Sequence, residues 1–162
     1  MGRFDISPAV AEEYRTKFRE AVQPHVGEEL LAVGNFHTTG SGTKFAISKL
    51  QAGALVYGAA SKLGKARAGG LPNSFLLAVT PTKLHAFKWK QKRSGVDVKE
   101  EVGVWDRAGL EVGTEKVATT TRVRLEWPAS RYKIVCDEDG LGDNPWADDV
   151  VRALQTGPAA VA

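Results

Sequence analysis

The sequence predicts a single α+β domain: a helix, a first strand, a helical insertion, about six further antiparallel strands and a closing helix. Three observations carry this expectation. Apolar residues recur at helical spacing near both ends, in 8–24 and 144–155. Between residues 74 and 136, apolar or alternating runs of strand length are separated by short turn signals. The chain has 162 residues with no internal repeat and no linker, which is enough for one self-sufficient core and argues against two.

The elements follow in order. Ser7 is a helix cap and Pro8 suits a first helical position; Val10, Tyr14, Phe18 and Val22 then form an apolar stripe that Pro24 ends. "EELLAVGNFHTT" predicts a first strand at about 28–37, and the Gly/Ser/Thr run at 38–43 breaks it. Residues 44–67 read as a helix, stopped by Gly69-Gly70. "SFLLAVT" and "LHAFKWK" around "PTK" predict a hairpin, and "QKRSGVD" a second, basic turn. "KEEVGVW" is a strand, and "LEVGTEKVAT" after "DRAG" is two short strands or one bent one. "TRVRLEW" alternates, with Val123, Leu125 and Trp127 on one face; "RYKIVC" places Tyr132, Ile134 and Cys136 together. The last helix, 144–155, has Asn144 as cap, Pro145 in its first turn, and Trp146, Val150, Val151 and Leu154 on one face.

Charge is unevenly distributed. Between Glu29 and Asp97 there is no acidic residue, yet ten of the 22 cations fall there; elsewhere 12 cations face 19 acids. Such a block marks either a solvated face or the footprint of an anionic partner. A lone cysteine, Cys136, rules out an internal disulfide framework and fits a reducing cytoplasm. The N-terminus lacks the apolar core of a secretion signal, and Ile6 stands where myristoylation needs Ser or Thr. The longest uncharged run in the insertion, 50–61, is too short to span a bilayer.

The strand-turn-strand unit "SFLLAVTPTKLHAFKW" and the helix "NPWADDVVRAL" resemble the bacterial pleckstrin-homology-like (PH-like) superfold over residues 28–156. The resemblance implies an antiparallel β-barrel of about seven strands capped by a C-terminal helix. It also implies that the connections after the first and third strands, 38–73 and 91–98, share one open end. Those are the segments that carry most of the acid-free cations. Here the first connection is an insertion of some thirty residues in place of a short loop.

The expected function is a non-enzymatic binding module, with no cofactor and no metal. Lys62, Lys65, Arg67, Lys90, Lys92 and Arg93 would bind anions, with Leu55 and Tyr57 as apolar contacts. The partner would be acidic membrane lipid headgroups or an acidic protein, bound in the cytoplasm or peripherally at the inner membrane face. Two alternatives stay open. Ala54 with Gly58, and Ala60 with Gly64, give helix 44–67 a small-residue stripe suited to homo-oligomeric assembly. "KLHAFKWKQKR" interleaves aromatics and cations as nucleic-acid surfaces do, although a strand face under a helix explains Phe87 and Trp89 better. "TTGSGTK" lacks the order of a phosphate-binding loop, the three histidines are scattered, and the acids at 137–143 do not match a calcium loop.

Overall fold

The computed structural model describes residues 7–38, 71–93, 95–117, 120–138 and 144–157. The expected insertion helix at 44–67 lies outside them. Helix α1 spans Pro8–Val22 and tightens into a 3-10 turn at Gln23–His25 around Pro24. Ser7 caps it, its hydroxyl accepting from the Val10 amide at 3.3 Å. The C-terminal helix, α2, spans Pro145–Gln155, and the Asn144 side chain accepts from the Ala147 amide at 3.0 Å.

Seven strands form one antiparallel sheet: β1 Ala32–Thr38, β2 Ser74–Val79, β3 Lys83–Lys92, β4 Gly95–Asp106, β5 Glu111–Val117, β6 Thr120–Trp127 and β7 Tyr132–Glu138. Their order is β4-β3-β2-β1-β7-β6-β5, so β4 and β5 are the edges. The sheet curls: the Trp127 indole donates to the Asp106 carbonyl at 2.7 Å, and the Trp105 and Trp127 rings are 5.9 Å apart. Within "LEVGTEKVAT", Glu111–Val117 is one strand.

The first strand begins four residues later than expected. The Leu31 amide still donates to the Val79 carbonyl of β2, at 2.8 Å, whereas Glu28 and Leu30 before it are held by side chains. Glu28 Oε1 accepts from the Thr80 and Thr82 hydroxyls at 2.8 and 2.6 Å, which lowers its carboxyl below the usual range. Gln23 accepts from the Leu30 amide, and Arg19 donates to the Leu30 carbonyl.

Both faces of the central strands are covered, which explains the nearly unbroken apolar run in β2. Phe75, Leu77 and Val79 point into a core shared with Val123, Leu125 and Ile134 of β6 and β7 and with Ala147, Val150 and Leu154 of α2. Leu76 and Ala78 point the other way, to Phe18 and Val22 of α1 and to Phe87 and Trp146. The two helices meet through a 2.6 Å pair between Arg15 Nε and Asp149 Oδ2 and through the Tyr14 and Trp146 rings, 5.1 Å apart.

Two positions fix how α2 seats. Gly34 of β1 lies directly beneath it: a Cβ there would sit 2.8 Å from the Ala147 Cα and nitrogen. The absent side chain lets helix and strand backbones approach. Arg107, in the turn after β4, is 2% exposed. It donates to the carbonyls of Thr80, Ala153 and Gly157 at 2.8–2.9 Å, tying the β2–β3 turn to the C-terminal end of α2. A cation suits that end of a helix dipole.

Candidate anion-binding site

The basic turn joins β3 to β4, the most extensive hairpin of the sheet. Lys90 pairs in register with Asp97 and Lys92 with Gly95. Gly95 has φ +149°, a conformation L side chains rarely adopt, so the reversal needs glycine there. Register shifts between Ala86, Phe87 and Trp89 bend β3 just before the turn.

The bend turns Phe87 and Trp89 toward α1, Phe87 fully buried and Trp89 half-buried. Trp89 meets Phe18 edge-on at 5.8 Å, and Phe87 lies 5.8 Å from the His25 ring. These aromatics are helix contacts, as a strand face beneath a helix requires.

The charge asymmetry of the sequence is partly cancelled across the hairpin. Lys83 pairs with Asp106, Lys88 Nζ with Glu100 Oε1 at 3.0 Å, and His85 Nδ1 lies 2.8 Å from Glu101 Oε2. Asp97 serves both Lys92, at 3.4 Å, and Lys99, at 2.5 Å; first Lys99 and then Lys92 hold its carboxyl below the usual range. The acid-free run thus folds against the acids of β4. The uncompensated charge collects at the tip, where Lys90 and Arg93 form no ion pair among the described residues and two ammonium groups share Asp97.

The insertion leaves and rejoins the sheet at this same end. Phe36 pairs with Phe75 and His37 with Ser74, and the Thr38 amide donates to the Asn73 carbonyl at 3.0 Å. The Trp89 indole donates to Ser74 Oγ at 3.0 Å, which places the end of β3 beside the start of β2. Of the residues expected to bind anions, Lys90, Lys92 and Arg93 are exposed on the turn. Lys62, Lys65, Arg67, Leu55 and Tyr57 lie outside the described residues.

A cleft of about 370 Å³ opens between α1 and this turn. Tyr14, Phe18, Trp89 and Trp146 line it together with Lys17, Lys92 and Arg93, and with Asn35, which accepts from the Trp146 indole. Lys17 Nζ sits 5.4 Å over the Tyr14 ring and 3.0 Å from Glu13. Sequence reasoning missed Lys17, Asn35 and Trp146 as neighbours of the turn. Tyr14, Phe18 and Trp146 were legible only as apolar stripes, and nothing local says that two helices converge on one hairpin tip.

Away from this cleft, Cys136 and Glu138 are buried ionisable groups. Burial pushes the Cys136 thiol up, away from thiolate reactivity. Glu138, 5% exposed at the end of β7, faces Asp148 of α2. Burial, followed by the hydrogen bond and charge of Asp148, raises its carboxyl to about 8. No group of three or more His, Cys, Asp or Glu among the described residues could hold a metal ion, and no helix among them is long and apolar enough to cross a membrane. Compared with known proteins, the chain matches no family model, and no curated protein or solved structure is significantly similar to it.

Proposed function

We propose that this chain is a non-enzymatic, PH-like binding module that attaches peripherally to acidic lipid headgroups at the cytoplasmic face of a membrane. The seven-stranded antiparallel sheet with a C-terminal helix supports the fold reading, and the contact of Trp127 with Asp106 across the curl supports a barrel. One observation carries the functional reading: the insertion is rooted at the same sheet end as the Lys90–Arg93 turn. Cations of both segments can therefore act on one surface.

Magnitude decides how many are needed. Each Lys or Arg near an anionic leaflet contributes about 1 kcal/mol. The three on the turn reach only about 3 kcal/mol, a weak and salt-sensitive attraction. Adding Lys62, Lys65 and Arg67 roughly doubles it, and Leu55 and Tyr57 would add apolar insertion. In this reading the insertion is the larger half of the surface. Sedimentation with vesicles of phosphatidylcholine alone, or mixed with phosphatidylglycerol, tests it. Binding only to the acidic vesicles, weakened when 44–67 is replaced by a short Gly/Ser linker, supports the reading. Equal binding to both at moderate salt eliminates it, and capture of acidic proteins without vesicle binding would move the partner to a protein.

A further inference from the structure

The cleft between α1 and the basic turn has a chemistry that a headgroup surface does not require. We infer that it is a pocket for a small, flat organic anion of the aromatic carboxylate class. Ligand pockets are mostly apolar, with a few polar groups that set orientation, and start at roughly 300 Å³. This one matches at about 370 Å³, with four aromatic side chains and three cations in its lining.

Each feature selects part of the ligand. The lining rings pack on one another, Phe18 5.8 Å from Trp89 and 6.1 Å from Trp146, and Tyr14 5.1 Å from Trp146; Phe18 and Trp146 are buried, so the half-buried Tyr14 and Trp89 supply the accessible ring surface. Such walls favour a planar apolar body through offset and edge contacts. The lining is net positive where the cleft meets the turn. Arg93 has no acidic partner among the described residues, and the single carboxylate of Asp97 is divided between Lys92 and Lys99. A guanidinium beside an apolar pocket is the donor best suited to a carboxylate, since it can bind both oxygens at once. Val10, 41% exposed, also lines the cleft, and among the described residues it lies outside both buried clusters. Lys90, on the same strand end, does not line the cleft.

That last placement separates this site from the membrane surface. Titration calorimetry of the full chain with 1-naphthoate and the neutral 1-naphthamide tests it, alongside vesicle sedimentation of the same variants. Naphthoate is expected to bind, and Arg93→Ala is expected to weaken it about fivefold while leaving naphthamide unchanged. Val10→Trp, an exposed substitution that adds bulk to the cleft lining, is expected to abolish naphthoate binding and spare vesicle binding. Lys90→Glu is expected to weaken vesicle binding roughly tenfold and to spare naphthoate. Naphthoate binding that survives Val10→Trp, affinity equal to that of naphthamide, or no binding of naphthoate overturns the inference, and none of these outcomes bears on the vesicle result.

Discussion

Replacing Gly34 with alanine is the sharpest test of how the C-terminal helix is seated. The added Cβ would lie 2.8 Å from both Cα and N of Ala147 and 2.9 Å from the carbonyl carbon of Trp146. All three are backbone atoms, so no side-chain rotation relieves the contact. Reaching ordinary contact requires α2 to retreat by roughly 0.6 Å or more, a gap that forfeits a quarter or more of each dispersion contact it loosens. The loosened contacts belong to Ala147, Val150, Val151 and Leu154, which fill the larger core. Overpacking alone costs about 1–3 kcal/mol, and the retreat places the total near 3 kcal/mol. At roughly 2–4 °C per kcal/mol for a chain of this size, the midpoint should fall by about 6–12 °C. Urea unfolding followed by tryptophan fluorescence measures the loss directly. Because the clash is with backbone, adding Ala147→Gly should not restore stability. A loss below about 0.5 kcal/mol, or full rescue by Ala147→Gly, would refute this account of the strand–helix contact.

Two further outcomes follow from buried charge. Glu138 keeps a proton in the folded chain up to about pH 8, whereas an unfolded glutamate releases it near its ordinary value. Between those values the folded state binds more protons, so stability is greatest below the ordinary value and falls as pH rises through the window, by on the order of 5 kcal/mol. The groups facing it are Asp148, Lys116 and Arg152. Glu138→Gln should flatten the decline in urea midpoints between pH 5 and 9; a wild type that gains stability over that range contradicts the burial argument. Arg107→Ala strips donors from the carbonyls of Thr80, Pro81, Ala153 and Gly157 and leaves a void, for a loss of about 2–4 kcal/mol once the relief of a desolvated charge is set against the orphaned acceptors. Arg107→Lys should recover only part of it, because one ammonium cannot reproduce the fork that reaches both the Thr80 carbonyl and the end of α2; thermal unfolding of both variants checks the ranking.

Local signals were read correctly where local chemistry decides. Ser7-Pro8 and Asn144-Pro145 start helices because caps and a fixed φ act within one turn. The alternation at Val123, Leu125 and Trp127 survives because that strand has one face in the larger core. Long-range pairing was not legible. The acid-free stretch looked strongly basic because Asp97, Glu100, Glu101 and Asp106 come later in the chain, yet the hairpin sets them against Lys92, Lys88, His85 and Lys83. Nothing in "DRAG" signals that Arg107 is buried, since its carbonyl partners lie 26–50 residues away. The first strand was placed too early because "EELL" has a strand-like pattern, while Glu28 is drawn off to two threonine hydroxyls. The cleft depends on α1, α2 and the β3–β4 turn converging, and only its separate walls show in the sequence.

Charge reversal of the turn tests the central claim most directly. In co-sedimentation with phosphatidylglycerol-containing vesicles, wild type should bind at low salt and detach as salt rises, and Lys90→Glu, Lys92→Glu and Arg93→Glu together should abolish binding without altering far-ultraviolet dichroism. A folded triple variant that binds those vesicles as tightly as wild type would contradict it.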